Sequence, residues 1–361
     1  MTPLAGAFDG FWSGRRVFLT GHTGFKGAWL SLMLEWMGAE VTGYALAPNT
    51  TPSLFDLAGV APAMKSLIGD INDAAALTAA MEAAQPDLVL HLAAQPLVRE
   101  SFDDPAGTYQ TNVMGTLNSL EAVRRTPSVR VVLVVSTDKC YLNRNWIWGY
   151  REDEPLGGHD PYSSSKACTE ILTASYRDSF FTPNSFSSRK VAVATARAGN
   201  VIGGGDWAAD RLVPDAMRAF AKDDPLLIRY PHSIRPWQHV IDPLRGYLTL
   251  AAKLWGDGDA FAGAWNFGPP PGEEWPVQRI AEELAALWGD GKVLVDNKPH
   301  KPEDGILRLD PTKARDKLGW RPAIGMEEAL RLSVDWYKRH QAGGDLRGLM
   351  LDQCRTSFAD V

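Results

Sequence analysis

The sequence predicts an α/β fold: a doubly wound parallel sheet with helices on both faces, followed by a smaller C-terminal α/β domain. Two observations predict this fold. Apolar runs of strand length alternate with segments of helical periodicity up to about Asn200. Beyond that point, glycine and proline clusters such as 203–205 and 269–272 interrupt the regular periods. Successive strand–helix units joined by right-handed crossovers form a parallel sheet of this kind.

Each element follows from its local pattern. After a polar lead-in, residues 15–20 form an apolar run that ends in a glycine turn, and residues 28–37 have the apolar spacing of a helix. Residues 87–93 and 129–136 are nearly continuous apolar runs, which is typical of strands buried on both faces. The other predicted strands are 40–46, 64–70 and 190–198, and the other predicted helices are 73–84, 108–124 and 160–181.

The change near residue 200 predicts the domain organisation. Residues 1–200 form the sheet domain, which a segment at about 238–266 rejoins, and residues 201–361 form the smaller domain. Residues 325–340 have the amphipathic pattern of a further helix. The last residues of the chain are expected to lie at the periphery.

Composition excludes several classes of protein. The 361 residues include 37 Lys and Arg against 43 Asp and Glu, and this net charge of −6 disfavours nucleic acid and anionic membranes as partners. The three cysteines lack the CxxC spacing of a zinc site, so no metal is expected and the expected location is a reducing cytoplasm. No apolar stretch approaches the roughly 20 residues of a membrane span.

The turn after the first strand is the main functional signal. It reads TGHTGFKG, with glycines at three-residue spacing between a strand and a helix. Glycines let backbone N–H groups approach a pyrophosphate, and the helix directs its positive end at the same anion. A glycine triplet alone is also typical of an ordinary turn, and Lys26 equally fits an ordinary solvated lysine. In this context we predict a Rossmann-type dinucleotide site formed by Gly21, His22, Thr23, Gly24, Phe25 and Lys26.

The second strand indicates which dinucleotide binds. Residues 43–47 offer no carboxylate for a ribose 2′-hydroxyl and no cation for a 2′-phosphate. Without a cation the extra charge of NADP lacks compensation, so NAD is favoured. Asp70 and Ile71 are candidate adenine contacts, and Ala93, Ala94 and Gln95 are candidates to line the cofactor channel. Each of these segments is also typical of a plain loop.

Tyr162 and Lys166 lie four residues apart on a predicted helix, which places both on one face. A tyrosine with a pKa of about 10 is a poor base at neutral pH, but an adjacent ammonium group and a nicotinamide cation stabilise its phenolate. An exposed surface pair is the alternative interpretation. The glycine turn upstream, and Ser136 and Thr137 at a strand end, favour the catalytic one.

Several motifs together carry a family resemblance. TGHTGFKG, HLAAQ, the Asn112 of TYQTNVMGT, STDK and YSSSK resemble the extended short-chain dehydrogenase/reductase family over nearly the whole chain. The segments CYLNRNWIWGYREDEPLGGHDPYSSSK and RAGNVIGGGDW are similar to the nucleotide-sugar 4,6-dehydratases within it. The resemblance implies that Thr137, Tyr162 and Lys166 are catalytic and that Asn112 belongs to the cofactor site. It also implies a homodimer or homotetramer, paired through helices on the flank of the sheet.

The same resemblance implies roles for Asp138 and Lys139. Asp138 is the acid that protonates a departing hydroxyl, and position 139 handles a carbon-bound proton. Related dTDP-glucose dehydratases are expected to have Glu at this position, whereas this chain has Lys139. A lysine is a base only when it is neutral, which requires burial or a nearby cation. A salt bridge between Lys139 and Asp138 is the alternative.

The second half supplies candidate partners for the diphosphate of a nucleotide sugar. Asn200, Arg211 and Arg235 are the candidates, because polar side chains and guanidinium forks match phosphate oxygens. The resemblance adds Asn266 and Glu303 near the nucleotide. Trp146 and Trp148 lie between Asp138 and Tyr162 in the chain, and we predict that they cover the sugar as a lid.

Two other functions remain open at the level of sequence. A nucleotide-sugar 4-epimerase shares Tyr162 and Lys166 but has no need of an acid and a base at Asp138 and Lys139. A non-catalytic dinucleotide-binding protein can have the same fold, because fold does not determine function. The complete set of Thr137, Tyr162 and Lys166 argues against the second alternative.

Overall fold

The computed structural model of the protein describes residues 3–182, 190–270, 272–298 and 305–358. Its strands are β1 Arg16–Thr20, β2 Glu40–Ala45, β3 Lys65–Ile68, β4 Leu88–His91, β5 Val131–Val135, β6 Ala192–Ala198, β7 Val201–Ile202, β8 Leu226–Ile228, β9 Ile234–Arg235, β10 Gln238–His239, β11 Gly263–Phe267, β12 Trp275–Pro276 and β13 Val293–Val295. Its helices are α1 Phe25–Trp36, α2 Leu54–Leu57, α3 Ala74–Ala84, α4 Val98–Asp103, α5 Pro105–Tyr109, α6 Gly115–Arg125, α7 Pro161–Tyr176, α8 Leu212–Phe220, α9 Ile241–Gly256, α10 Gly258–Phe261, α11 Val277–Trp288, α12 Met326–Gln341 and α13 Leu346–Ser357.

Seven of the strands form one sheet in the order β3-β2-β1-β4-β5-β6-β11. Every neighbouring pair in it is parallel. The order changes direction between β1 and β4, and helices cover both faces, so the predicted doubly wound sheet is confirmed.

Burial of the central strands follows from their composition. All residues of β5 and of β6 are buried, as expected for apolar strands with a helix layer on each face. One layer packs residues of α1, α9, α12 and α13 into a common core. The other face packs against α3 and α6.

Two predicted helices are interrupted in the structure. Residues 108–124, predicted as one helix, form the end of α5, a π-helical stretch at Gln110–Met114, and α6. Residues 160–181 form α7 followed by a second π-helical stretch at Arg177–Phe181. No helix in the described ranges is long and apolar enough to cross a membrane.

The second half of the chain adds short strand pairs and then returns to the sheet. β7 pairs with β10, β8 with β13 and β9 with β12, all outside the main sheet. Between these pairs, α9 packs on β5 and β6, and β11 extends the sheet beside β6. The chain leaves the sheet after β6, returns to it with α9 and β11, leaves again at β12, and returns with α12 and α13, which pack beside α1 and α9. The three short strand pairs together with α8 and α11 are called the smaller unit, and a cavity lies between it and the sheet.

The last residues of the chain that the structure describes are not peripheral, so that expectation is wrong for α13. Leu346, Met350 and Cys354 recur every four residues on one face of α13, Phe358 follows its end at the same spacing, and all four are buried in the main core. Phe8 packs edge-on against Phe358 with 5.9 Å between ring centroids. The N-terminal and C-terminal segments therefore close the same side of the sheet.

Gly204 offers a test of how the C-terminal helices pack on the loop after β7. A Cβ atom at Gly204 would lie 2.0 Å from Cγ of Trp336, which is fully buried in α12. Because neither the backbone nor a buried indole can move aside cheaply, Gly204→Ala is expected to lower the free energy of unfolding by about 1–3 kcal/mol. The measurement is the urea denaturation midpoint. Gly256→Ala is the control, since nothing lies within 4 Å of its Cβ position, and equal midpoints for the two variants would contradict the prediction.

Candidate active site

A cavity of about 1020 Å³ opens along the carboxyl ends of the parallel strands. Gly21 after β1, Leu92 after β4, Ser136 after β5 and Gly199 after β6 line one side of it. Residues of the smaller unit, from β8 to Trp237, line the other side. This is the position at which doubly wound sheets bind ligands, and the volume suits two large ligands rather than one.

The glycine turn is held tightly against the sheet. Gly21 has a φ of +79°, and a Cβ atom there would lie 2.8 Å from the backbone nitrogen of Ala93. A Cβ atom at Gly27 would lie 2.0 Å from the carbonyl oxygen of Gly21. Thr23 Oγ1 donates a hydrogen bond of 2.8 Å to the carbonyl of Leu46, which ties the turn to the end of β2. The first turn of α1 consequently faces the cavity, with Gly24, Phe25 and Lys26 in its wall.

Three predicted cofactor residues, His22, Gln95 and Asn112, are not in the wall of the cavity. His22 is buried under the turn, where its Nε2 lies 2.7 Å from Ser66 Oγ, and burial lowers its pKa to about 4. Asn112 Oδ1 accepts from the Gln95 backbone N–H at 2.8 Å, and Asn112 Nδ2 donates to Ser165 Oγ at 2.9 Å. Asn112 therefore connects the loop after β4 to α7, and Gln95 is part of that connection.

The part of the cavity that runs from the glycine turn to the ends of β2 and β3 is called the dinucleotide groove, and its far end is the one at β2 and β3. Asp70 and Ile71 line it as predicted, and so do Asn49, Thr50 and Asn72, which the sequence analysis missed. Residues 45–50 and 69–72 include no lysine or arginine. A 2′-phosphate would meet Asp70 there without a compensating cation, so this end of the groove is compatible with NAD and unfavourable for NADP.

The structure brings all five predicted catalytic residues to the wall of the cavity: Thr137, Asp138, Lys139, Tyr162 and Lys166. Thr137 Oγ1 donates to Asp138 Oδ1 at 2.9 Å at the end of β5. Asp160 caps α7 by accepting from the Ser163 backbone N–H at 2.8 Å, which fixes Tyr162 in the first turn of that helix. Lys166 Nζ donates to the carbonyl of Val135 at 3.1 Å.

Burial sets the proton affinities of these groups. Burial raises the pKa of Tyr162 to about 12, although a hydrogen bond to Thr137 opposes the increase. Burial lowers the pKa of Lys166 to about 8, and the carboxylate of Glu170 opposes that decrease. Burial and the nearby Arg211 lower the pKa of Lys26 to about 8. The phenol and the amine are thus shifted in opposite directions, because burial favours the neutral form of each.

The opposite wall supplies the predicted polar partners. Asn200, Arg211 and Arg235 all line the cavity. Arg211 Nη1 lies 2.8 Å from Asp206 Oδ2. Arg235 is 5% exposed, and its Nη1 donates to the carbonyls of Ile234 at 3.0 Å and Gly305 at 3.3 Å. A guanidinium held in this way is already oriented for an anion.

Asn266 is not in the wall of the cavity, which corrects its expected contact with the nucleotide. It is fully buried in β11, where Oδ1 accepts from the hydroxyl of Tyr141 at 2.7 Å and Nδ2 donates to the carbonyl of Tyr150 at 2.8 Å. Its amide is therefore occupied inside the protein. Glu303 lies outside the described residues.

The predicted tryptophan lid is also wrong. Trp146 stacks on Tyr150 with 5.2 Å between ring centroids, and Trp148 is 65% exposed. Neither side chain lines the cavity, although Asn145 does.

The mouth of the cavity contains charged residues that the sequence analysis missed. Asp210 Oδ1 lies 2.8 Å from Arg99 Nη1 and 3.1 Å from Arg229 Nη1. These residues come from three distant segments, and only the fold brings them together. Within the described ranges, no group of three or more His, Cys, Asp or Glu side chains is arranged to hold a metal ion.

Comparison with known proteins gives consistent matches. The family model of GDP-mannose 4,6-dehydratase matches residues 18–252. The chain is 49% identical over 337 residues to CDP-glucose 4,6-dehydratase of Salmonella typhimurium, covering 93% of this chain and 94% of that protein. It is 29% identical over 292 residues to dTDP-glucose 4,6-dehydratase of Xanthomonas campestris, covering 76% and 78% of the two chains. The crystal structure of Thermus thermophilus UDP-glucose 4-epimerase with NAD superimposes with a TM-score of 0.76 at 25% identity, covering 90% of this chain and 99% of that one.

Gly27 provides a test of the phosphate turn. Because a methyl group at Gly27 cannot fit 2.0 Å from the Gly21 carbonyl, Gly27→Ala is expected to displace the first turn of α1 from the sheet. The affinity for NAD should fall by about 5- to 150-fold, since forcing a group into a packed site costs roughly 1–3 kcal/mol. Quenching of tryptophan fluorescence on titration with NAD measures it. Gly256→Ala serves as the control, and unchanged affinity in a folded Gly27→Ala protein would refute the assignment of the turn.

Proposed function

This chain belongs to the GDP-mannose 4,6-dehydratase family, and from that membership we propose that it is a CDP-glucose 4,6-dehydratase. It converts CDP-glucose to CDP-4-dehydro-6-deoxyglucose and water, as a hydro-lyase. The observation that carries the proposal is the presence of Asp138 and Lys139 beside Thr137, Tyr162 and Lys166 in one cavity. An epimerase that only oxidises and reduces C4 needs the last three residues but not the first two.

The choice of CDP-glucose rests on two supports. The CDP-glucose dehydratase of Salmonella typhimurium is 49% identical, whereas the dTDP-glucose enzyme of Xanthomonas campestris is 29% identical. The aspartate–lysine pair is the second support, because the dTDP-glucose branch is expected to have Glu at position 139.

NAD is the cofactor, and the residues present fit it. Backbone N–H groups of the first turn of α1 suit a pyrophosphate, and a Cβ at Gly21 or Gly27 would collide with the backbone that forms the turn. Asp70 and Ile71 face the adenosine end, and Ala93 and Ala94 line the groove towards Tyr162. When bound, NAD accepts the C4 hydrogen of the sugar as hydride and later returns it to C6.

The first step is proton removal from the sugar 4-hydroxyl by Tyr162. Burial raises the pKa of Tyr162 to about 12 even with the hydrogen bond to Thr137 in place, so the phenolate needs additional stabilisation. The Lys166 ammonium on the same face of α7 supplies that positive charge. Lys166 also binds a ribose hydroxyl of the cofactor.

The elimination step belongs to Asp138 and Lys139. The 4-ketone acidifies the C5 hydrogen, and Lys139 removes it as a proton and returns a proton to C5 when the hydride reaches C6. The C6–oxygen bond then breaks as Asp138 protonates the departing hydroxyl, which leaves as water. Both residues follow β5 in the short helical turn Asp138–Cys140, so they face the sugar from one side.

Substrate binding falls to the opposite wall. Arg235 and Arg211 hold the diphosphate, and Asn200 lies near it. The same wall includes the aromatic rings of Tyr230 and Trp237. The nucleotide therefore lies against the smaller unit, and the sugar reaches Tyr162. A diphosphate held between arginines also fixes the distance from the base to the reacting carbon.

The assembly is a homodimer or homotetramer in the cytoplasm. Three large apolar or aromatic side chains on the helices that flank the sheet support association, because they are more than a third exposed and lie outside the cavity wall: Tyr109, Met114 and Ile171. The buried free cysteines Cys140 and Cys354 support a reducing compartment.

The proposed activity is tested by incubating the protein with CDP-glucose and NAD in deuterated water. A 6-deoxy-4-keto product with one deuterium at C5 is the expected result, since the C5 proton is exchanged with solvent through Lys139. UDP-glucose serves as the control substrate. Epimerised UDP-sugar without a 6-deoxy product would establish the epimerase alternative, and NAD binding without turnover of any nucleotide sugar would establish the binding-protein alternative.

Two substitutions distinguish the step that forms the ketone from the elimination step that follows it. Tyr162→Phe is expected to lower kcat by about 10²- to 10⁴-fold with no build-up of reduced nicotinamide, because oxidation itself is blocked. Lys139→Met should permit oxidation and prevent loss of the C5 proton, so reduced nicotinamide accumulates in the absorbance spectrum. If both variants leave the cofactor oxidised, Lys139 does not act after the ketone forms.

A further inference from the structure

A buried ion pair lies behind the catalytic helix. Glu170 Oε2 on α7 accepts from Arg197 Nη2 on β6 at 2.8 Å, and the two side chains are 3% and 4% exposed. Thr195 Oγ1 donates to the same oxygen at 2.7 Å. Neither member of the pair lines the cavity, so neither touches a ligand held there.

The pair connects the two pieces of the catalytic machinery. Glu170 lies one helical turn beyond Lys166 and two turns beyond Tyr162 on α7. Arg197 Nη1 donates to the Tyr141 hydroxyl at 2.7 Å and to the Glu152 carbonyl at 3.1 Å. These two partners belong to the segment that follows Asp138 and Lys139. One guanidinium thereby joins α7, β6 and the loop that carries the proposed acid and base.

Burying an ion pair between a helix and a sheet costs free energy of desolvation. Two charges lose their hydration on burial, and replacing such a pair by apolar side chains of similar volume is often neutral or stabilising. A charge at Glu170 therefore requires a reason other than packing. Its position relative to Lys166 supplies one.

We propose that Glu170 and Arg197 are positioning residues for the reaction proposed above. Glu170 is the counter-charge of Lys166, and Arg197 both balances Glu170 and anchors the loop of Asp138 and Lys139. Lys166 has to be an ammonium to stabilise the Tyr162 phenolate. The ion pair of Glu170 and Arg197 keeps Lys166 in its ammonium form without occupying space in the cavity.

The charges around Lys166 support this role. Burial lowers the pKa of Lys166 to about 8, and the carboxylate of Glu170 opposes that decrease. Lys26 of α1 faces the same region as a cation and is coupled to Lys166 electrostatically. His91 of β4 is neutral, because burial and Lys166 lower its pKa to about 3. Glu170 is thus the carboxylate that most favours the ammonium form of Lys166.

The test is the pH dependence of Glu170→Gln. This variant keeps the shape of the side chain and leaves the Arg197 cation uncompensated near Lys166. The alkaline limb of the kcat profile should move to lower pH by roughly one unit, because Lys166 then loses its proton more readily. In Glu170→Gln/Arg197→Met, which removes both charges, the limb should lie between those of the wild type and the single variant. Glu121→Gln is the control, since Glu121 pairs with Arg124 and accepts from the Tyr176 hydroxyl at the far end of α7, outside the cavity wall.

A second measurement reads Lys166 without turnover. Acetylation of Lys166 by acetic anhydride across a pH series, followed by peptide mass spectrometry, reports its proton affinity with the exposed Lys190 as reference. The acetylation midpoint of Lys166 should fall in Glu170→Gln and stay in place in Glu121→Gln. An unchanged midpoint and an unchanged alkaline limb, with kcat lowered equally at every pH, would overturn the counter-charge role. Absence of any activity in the wild-type protein with a shifted acetylation midpoint would instead refute the proposed function alone.

Discussion

The site depends on one constraint of the fold: the strand order of the sheet runs in opposite directions from β1, towards β2 on one side and towards β4 on the other. β1 pairs with both β2 and β4, and the crossovers leave in opposite directions, so a crevice opens where the two sets of loops separate. Gly21 stands at that point and Gly27 packs α1 against it. Without these two close approaches α1 could not direct its N-terminus into the crevice. β5 lies two strands from β1, and its carboxyl end, which is followed by Thr137 and Asp138, faces the same crevice because β4 and β5 are parallel.

Burial of the catalytic groups creates a second dependence. A phenol and an ammonium in a dry wall are both pushed towards their neutral forms, which is the wrong form for each. In the proposed reaction, Tyr162 and Lys166 depend on each other, because the ammonium group stabilises the phenolate. By the same proposal, Lys166 depends on Glu170, and Glu170 on Arg197. The proposed chemistry at the cavity wall would then extend two residues into the core, where the buried ion pair lies.

Periodicity predicted the doubly wound sheet and its first six strands, because alternation of apolar runs and amphipathic helices is visible in a single sequence. It also located the segments of the active site, since parallel strands end at one edge. What it could not give was the direction of a side chain within such a segment. His22, Gln95 and Asn112 lie in the correct turns but face inward, and Asn266 lies on a strand whose end approaches the site while its amide is bonded to Tyr141 and Tyr150. α13 was not predicted, although Leu346, Met350 and Cys354 recur at the helical spacing of four residues. The cluster of Arg99, Asp210 and Arg229 had no local signal at all.

The net charge of −6 can be reconciled with two diphosphate ligands by the way the cavity pairs its charges. Arg211 is matched by Asp206, and Arg99 and Arg229 share Asp210. These carboxylates hold the guanidinium groups in place before a ligand arrives, which lowers the entropy lost when a phosphate binds. Anion recognition therefore depends on local geometry, the N-terminus of α1 on one side and oriented arginines on the other, and not on a long-range positive field. An acidic surface and an anion-binding interior are compatible for this reason, because the interior cations are already spaced and paired by the fold.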